Sequence, residues 1–303
     1  MYSLIMVRII NVLKFNFASL NVRFTGGLGN QLFQFVALHD LIRLDYLNMR
    51  KVNLYFTKNQ SRSFEIKSHL DHCLHFKYAL KTRLSFRFRL AGFMYFHFPH
   101  KKFKYLLKFA SEYSDFSQNK IRFMSGNFQN LDFATDSFYE VLKELIYLIT
   151  FRTKQIQSRF NLPQNYICLH VRRGDYPISN SMSDYIGQLA DEFFLKNLPK
   201  HDLPVVLLTE NLSDVIDLIE SLKPNFVFTQ KELSAWDTLA IMANSTSLIC
   251  SNSTLSWWGA ALCRSQYGEV MFPMNYSQWD SYDVPKLPFE DIFYIDSIWR
   301  AQV

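Results

Sequence analysis

Cysteine is scarce in this chain. Four residues in 303 (Cys73, Cys168, Cys250 and Cys263), widely spaced and without a Cys-x-x-Cys pair, exclude a disulfide framework and suit a reducing compartment. Glycine and proline are also few, at nine each, which excludes collagen-like and low-complexity chains. No run of 18 apolar residues occurs, so no segment reads as a bilayer span. The apolar N-terminus from Leu4 to Leu13 is interrupted by Arg8 and lacks a small-residue cleavage site, so it does not read as a signal peptide. What is abundant is aromatic. Twenty-nine Phe, 16 Tyr and five Trp within a 49% hydrophobic chain exclude wholesale disorder and leave apolar surface beyond a core for a binding face. The length favours two domains.

Charge is unevenly placed. Residues 50–110 hold fourteen Lys and Arg against two acids, Glu65 and Asp71, although the whole chain carries only +6. Phe86, Phe88, Phe93, Tyr95, Phe96, Phe98, Phe103 and Tyr105 interleave with these cations. Such a segment suits anionic lipid headgroups, each cation near the surface contributing on the order of 1 kcal/mol. It also suits nucleic acid, although no nucleic-acid motif accompanies it, or a solvated face over an aromatic core. His69, His72, Cys73 and His75 lie within it but fit no zinc spacing.

Organisation follows from periodicity. Residues 20–24 read as a strand, Thr25 to Asn30 as a glycine-rich turn, and 31–44 as a helix with apolar positions Leu32, Phe35, Val36, Leu38, Leu41 and Ile42. A long helix is expected over 138–160, with a domain boundary near Pro163. Beyond it, strands (166–171, 204–209, 226–229, 247–250, 269–273) alternate with helices (184–197, 212–222, 237–243, 253–263). That alternation implies a parallel α/β sheet. In such sheets ligands sit at the carboxyl ends of strands.

Three segments lie at such ends. Gly26-Gly27-Leu28-Gly29-Asn30-Gln31 is either a tight turn or a ligand loop, with backbone amides opening a helix. In His170-Val171-Arg172-Arg173-Gly174-Asp175, two arginines and a histidine can hold a pyrophosphate with Asp175 behind a guanidinium, or can form an internal ion-pair cluster. Ser251-Asn252-Ser253-Thr254-Leu255-Ser256 opens a helix whose first amides are free for a phosphate, or simply caps it; Trp257 and Trp258 read as packing. Asp237 can accept the N–H donors of a guanine, or serve as a helix-dipole acid.

Taken in order, Gly26 to Gln34, Gly126-Asn127-Phe128-Gln129, His170 to Tyr176 and Ser251 to Ala260 resemble the motifs of the α-1,2-fucosyltransferases, glycosyltransferase family 11, over about residues 20–275. The resemblance implies a GT-B-like α/β fold: two Rossmann-like domains facing a cleft, the C-terminal one a parallel sheet. It implies inverting transfer of L-fucose from GDP-β-L-fucose to the 2-hydroxyl of a galactoside, in surface glycan or O-antigen synthesis. It also implies no metal; the chain contains no Asp-x-Asp pair. The alternatives are another GDP-6-deoxysugar or acceptor, or a catalytically silent carbohydrate-binding module. Residues 1–19 would be an N-terminal extension and possible membrane-surface segment, 20–162 an acceptor-side domain with a basic aromatic insert at 50–110, and 163–303 the donor domain.

By the same resemblance Arg172 holds the donor diphosphate and Asn30 faces the sugar or phosphate. Gly27, Gly29, Gln31, His170, Arg173, Asp175, Asp237, Asn252, Ser253, Thr254 and Ser256 surround the donor. Asn127, Phe128, Gln129 and Asp132 lie on the acceptor side. The resemblance names no catalytic base; Asp132, near the Gly126 loop, and His39 are candidates from the sequence. Expected partners are GDP-fucose, a galactose-containing acceptor (lipid-linked ones included) and an anionic membrane surface, not nucleic acid; the expected location is cytoplasmic, peripheral on the inner membrane face. The chain departs from the family pattern in three places. Asn127 stands where Tyr is usual, Thr209-Glu210-Asn211 where Ser-Asp-Asp often stands, and about 20 residues precede the glycine-rich strand.

Overall fold

A computed structural model describes residues 19–43, 51–56, 65–67, 78–81, 89, 93, 109–112, 121, 123–129, 135–173, 187–200, 202–275, 277 and 286–300. Two units emerge, Met1–Val141 and Leu142–Val303. The division falls within the long helix α2 (Thr135–Phe160), whereas the sequence reading placed it just beyond that helix. The physical reason is visible in the side chains. Ser137 in its first turn donates to Asp40 of the first unit, while Thr153 and Arg152 bond Ala240 and Asp237 of the second.

The first unit is built on strands β1 (Ser19–Phe24), β2 (Lys51–Phe56), β3 (Tyr78–Lys81), β4 (Phe109–Ala110) and β5 (Phe123–Met124), in the order β3-β2-β1-β5-β4. Every described pairing in it is parallel. Helix α1 (Leu28–Arg43) follows β1 and is buried on nearly all sides, through Leu32, Phe33, Phe35, Val36, Ala37, Leu38 and Leu41. It is therefore buried around most of its circumference rather than along one stripe, with Gln31, Gln34 and Asp40 as its buried polar positions.

The segment expected as an insert contributes β2, β3 and β4 to this sheet instead. In β2, Val52, Leu54 and Phe56 alternate into the core. Asn53 and Tyr55, between them, both donate to Asn21 Oδ1 on β1, each at 3.1 Å. The alternation was there to be read beneath the cationic composition. The His69, His72, Cys73 and His75 cluster, most of the basic aromatic residues and residues 1–18 lie outside the described residues.

The second unit holds β6 (Ile167–Val171), α3 (Asp191–Lys196), β7 (Val205–Thr209), a 3₁₀ turn (Leu212–Asp214), α4 (Ile216–Leu222), β8 (Phe226–Phe228), α5 (Ala235–Ala243), β9 (Ser247–Ile249), α6 (Thr254–Ser265), β10 (Glu269–Pro273) and β11 (Phe293–Ile295). Its parallel sheet runs β8-β7-β6-β9-β10-β11. The chain starts at the centre, moves outward to β8, returns beside β6 as β9 and moves outward the other way. That is the doubly wound dinucleotide-fold order, and its reversal lies between β6 and β9. Both units are thus parallel α/β, as the expected fold class requires.

The core lies between sheet and helices, through Ile167, Leu169, Val171, Phe193, Phe194, Leu207, Leu218 and Ile249. Trp257 and Trp258 are wholly buried with rings edge-to-face, centroids 5.3 Å apart, so they are packing residues. Gly259 packs on Met242, where an added Cβ would come within 2.9 Å of three side-chain atoms.

Of the helix expected over 184–197, the described residues from 187 onward are helical over Asp191–Lys196. Before it, Leu189 bridges Trp299 antiparallel, and backbone bonds join Ala190 to Ile298 and Arg300 to Gln188. Cys168, Cys250 and Cys263 are buried free thiols. Among the described residues no helix is long and apolar enough to cross a membrane.

Candidate functional site

In the first unit the reversal of strand order lies between β1 and β5, so the carboxyl ends of these strands mark one candidate site. Gly26 has φ +75°, and a Cβ there would meet Asn30 Nδ2 at 2.5 Å. Two fully buried glutamines fix the turn. Gln31 Nε2 donates to Gly26 O at 2.8 Å, and Gln31 Oε1 accepts from Ile66 N at 3.1 Å. Gln34 Oε1 accepts from Thr25 N, and its Nε2 donates to Thr25 Oγ1 and to Gly126 O, the last at 2.8 Å. Gln34 thereby ties the glycine-rich turn to the loop after β5.

Across this junction Gln129 Nε2 donates to Asn30 Oδ1 at 3.2 Å. The structure thus brings together Asn30 and Gln129, residues 99 apart in sequence. Asn127 is exposed beside them. Phe128 is buried with φ +53°, so it supports the loop from within. Gln31, expected against the donor, holds the backbone instead; Gly27 and Gly29 sit at the start of α1, with Gly27 O accepting from Gln31 N. His39 lies nine residues beyond Asn30 on α1, about 13 Å along the axis. Its Nε2 is 3.7 Å from Glu140 Oε2, so it is not placed as a base at this loop. Asp132 is outside the described residues.

In the second unit the switch point lies between β6 and β9. Their register pairs Leu169 with Ile249, so the residues just beyond each strand share one edge of the sheet. Beyond β6 come Arg172 and Arg173; beyond β9 come Cys250 to Ser253, which lead into α6. Ser253 is the N-cap, its Oγ accepting from Leu255 N at 3.2 Å. The i→i−4 bonds of α6 begin with Trp257 N to Ser253 O. The amides of Thr254, Leu255 and Ser256 therefore precede the helical ladder, at the positive end of the helix dipole.

His170, at 5% exposure, shares a 2.6 Å hydrogen bond between its Nδ1 and Ser256 Oγ, which lies 3.2 Å from Ser251 Oγ. Burial, and secondarily the charge of Arg172, push its pKa down to about 3. His170 is thus a neutral imidazole that fastens β6 to the first turn of α6, not a cation for a diphosphate. Ser256 and Asn252 are likewise fully buried, Asn252 Nδ2 donating to Gly187 O at 3.1 Å. They form the wall of the site rather than its open face. Thr254 is half-buried at the helix start.

The two arginines differ. Arg173 is 1% exposed, ion-paired to Asp191, and donates to Asp214 O at 2.6 Å and Leu189 O at 3.2 Å. It is the internal cluster that the sequence left as an alternative, and it anchors the loop before α3. Arg172 keeps 13% exposure at the sheet edge and pairs with Glu210. Asp175 is outside the described residues.

Asp237 closes a capping box with Ser234, and its other oxygen is 2.5 Å from Arg152 Nη1. Burial alone would raise its pKa, but the hydrogen bonds of Ser234 and Arg152 and the Arg152 charge outweigh it and hold the carboxyl below its ordinary value. Both of its oxygens are thus engaged, one in the cap and the other with Arg152.

Sequence reasoning missed Glu210, Gln34 and Asp191. Glu210 carried a signal: an acid one residue past a buried strand run. Gln34 carried a weaker one, a polar residue three positions from Gln31 within the otherwise apolar run Leu32–Leu38.

The neutral His170 makes a testable statement about stability. Its folded pKa is depressed, so the unfolded chain takes up the proton first. Folding stability is therefore lost as pH falls from about 6.5 toward 3, at up to about 1.4 kcal/mol per pH unit. His170→Asn is expected to flatten that slope by up to this amount in urea unfolding between pH 6 and 4. Parallel slopes for the two proteins would count against a buried neutral histidine.

The family model described as glycosyl transferase family 11 matches residues 16–282. Galactoside alpha-(1,2)-fucosyltransferase 1 of Saimiri sciureus is 26% identical over 127 residues, 39% of this chain; the match spans 34%, about a third, of that enzyme's length. Among solved structures, a glycosyl transferase family 9 protein from Veillonella parvula DSM 2008 gives a TM-score of 0.46 at 11% identity, covering 88% of this chain and 86% of its own. The fucosyltransferase NodZ from Bradyrhizobium gives 0.43 at 13% identity, covering 82% and 93%. Spanning nearly the whole of both sheets, the family match shows that this chain belongs to glycosyl transferase family 11.

Proposed function

We propose that the chain is a fucosyltransferase that moves L-fucose from GDP-β-L-fucose to the 2-hydroxyl of a galactoside, with inversion and without a metal. The observation that carries the reading is the shared edge of the second sheet. Arg172 beyond β6 and the opening amides of α6 beyond β9 lie at the switch point where such sheets take nucleotides. Family membership and the curated galactoside relative support the sugar and the acceptor.

The chemistry follows from charge. As the C1–O bond to the diphosphate breaks, positive charge develops on the fucose ring and negative charge on the leaving GDP. Arg172 and the α6 dipole stabilise that negative charge. Attack by the acceptor oxygen from the face opposite GDP inverts C1, and the hydroxyl proton leaves to a base. His170 and Ser256 hold Arg172 and the helix start in one register. We assign the acceptor to the edge of the first sheet at Asn30 and Gln129, where exposed Asn127 replaces the family's usual Tyr.

Melting in the presence of GDP, GDP-fucose, GDP-mannose or UDP, each with EDTA, tests this reading. The guanine nucleotides are expected to raise Tm by several degrees, since ligand at 100 times Kd adds about 2.7 kcal/mol. UDP is expected to do little. No shift with any nucleotide, or a shift abolished by EDTA, would contradict it; the first result would favour a silent carbohydrate-binding module.

A further inference from the structure

Arg172 already has a carboxylate. The register of β6 with β7 pairs Val171 with Thr209, so the next residues, Arg172 and Glu210, emerge side by side from the carboxyl ends of two adjacent strands. They form an ion pair in which Arg172 is 13% and Glu210 9% exposed. Gln230 Nε2 donates to the same Glu210 oxygen at 2.8 Å. The other cationic candidates here are committed elsewhere: His170 is neutral, and Arg173 is enclosed with Asp191. An anion arriving at this edge therefore meets a guanidinium that holds a resident carboxylate.

We propose that Glu210 is a positioning residue and resident counter-anion for Arg172, exchanged for the donor diphosphate on binding and returning to Arg172 as GDP leaves. This rests on the donor reading above and deepens it. Before binding, Glu210 keeps the guanidinium desolvated and aimed at the strand edge, which lowers the ordering cost of binding. On binding, the diphosphate takes over the same N–H donors. After transfer, the carboxylate competes with GDP for them. An uncompensated arginine at a largely buried position attracts an anion more strongly than a paired one. Glu210 thus sets a ceiling on product affinity and favours turnover over trapping.

Glu210→Gln separates this role from structural support. The amide carbonyl still accepts from Arg172 and Gln230, so shape and hydrogen bonds persist while the charge goes. The probe is GDP, titrated calorimetrically in EDTA at low salt. Glu210→Gln is expected to bind GDP about tenfold tighter than wild type. Glu232→Gln removes the same charge from a residue that bonds Thr229 instead, and is expected to stay within twofold of wild type. If Glu210→Gln does not fold, Gln230→Lys, which draws the carboxylate off Arg172, is expected to tighten GDP as well. Unchanged or weaker binding in the folded Glu210 variant (or in Gln230→Lys where it does not fold), or equal tightening in the Glu232 variant, overturns the inference alone. Failure of the wild type to bind GDP overturns the donor reading and this inference with it.

Discussion

Arg172→Ala is expected to lower kcat for fucosyl transfer by at least about 10²-fold. The leaving GDP gains its negative charge in the transition state, so a preorganised guanidinium acts more strongly there than on bound donor. Loss of one such donor costs roughly 3 kcal/mol. Arg172→Lys is expected to fall between the two, because it keeps the charge and loses the planar fork. Both variants are expected to fold, since α6 and β6 remain joined through His170 and Ser256. The alanine variant should melt a few degrees lower, because Glu210 is left half of a largely buried pair. Steady-state kinetics and a melting curve check both statements. Turnover within threefold of wild type in folded Arg172→Ala contradicts the assignment.

Gly126→Ala is expected to destabilise the first unit by about 3 kcal/mol or more. A Cβ at this position would lie 1.8 Å from the Ser111 carbonyl oxygen and 2.7 Å from its carbon. These are backbone atoms held in place where Ser125 N bonds Ala110 O at the β4–β5 junction, so relief requires the strands to part. Gly126 O also accepts from Gln34, and displacement of this loop would separate Gln129 from Asn30. Chemical unfolding followed by tryptophan-independent probes of the first unit, together with acceptor KM, measures both effects. A cost below about 0.5 kcal/mol contradicts the described packing.

Much of the second unit could be read from sequence because its strands are short continuous apolar runs between amphipathic helices. Ile167–Val171 and Val205–Thr209 are such runs, and both are strands. The strand ends located Arg172 and Ser253 for the same reason. The roles of neighbours were not readable. Arg172 and Arg173 are adjacent and identical in type, yet one emerges at the sheet edge and the other turns inward to Asp191; residue type alone does not say which. Asp237 is similar, since a capping carboxylate and a base-reading carboxylate occupy the same place at a helix start. In the first unit the strands β4 and β5 are two residues each, too short for a period to register, and the cations around β2 obscured its alternation. Ordered motifs still found the Asn30 and Gly126 loops, because glycine was required at both on steric grounds.

The central claim is transfer of fucose from GDP-fucose without a metal. The most direct measurement is incubation of the protein with GDP-fucose and a terminal β-galactoside in EDTA, with the product identified by mass spectrometry and its linkage and anomeric configuration by NMR. The account predicts a single fucosylated product, α-linked at the galactose 2-hydroxyl, formed at a rate unchanged by EDTA and lost in Arg172→Ala. A product retaining the β configuration, one formed only after a divalent cation is added, or one formed equally by Arg172→Ala would contradict it.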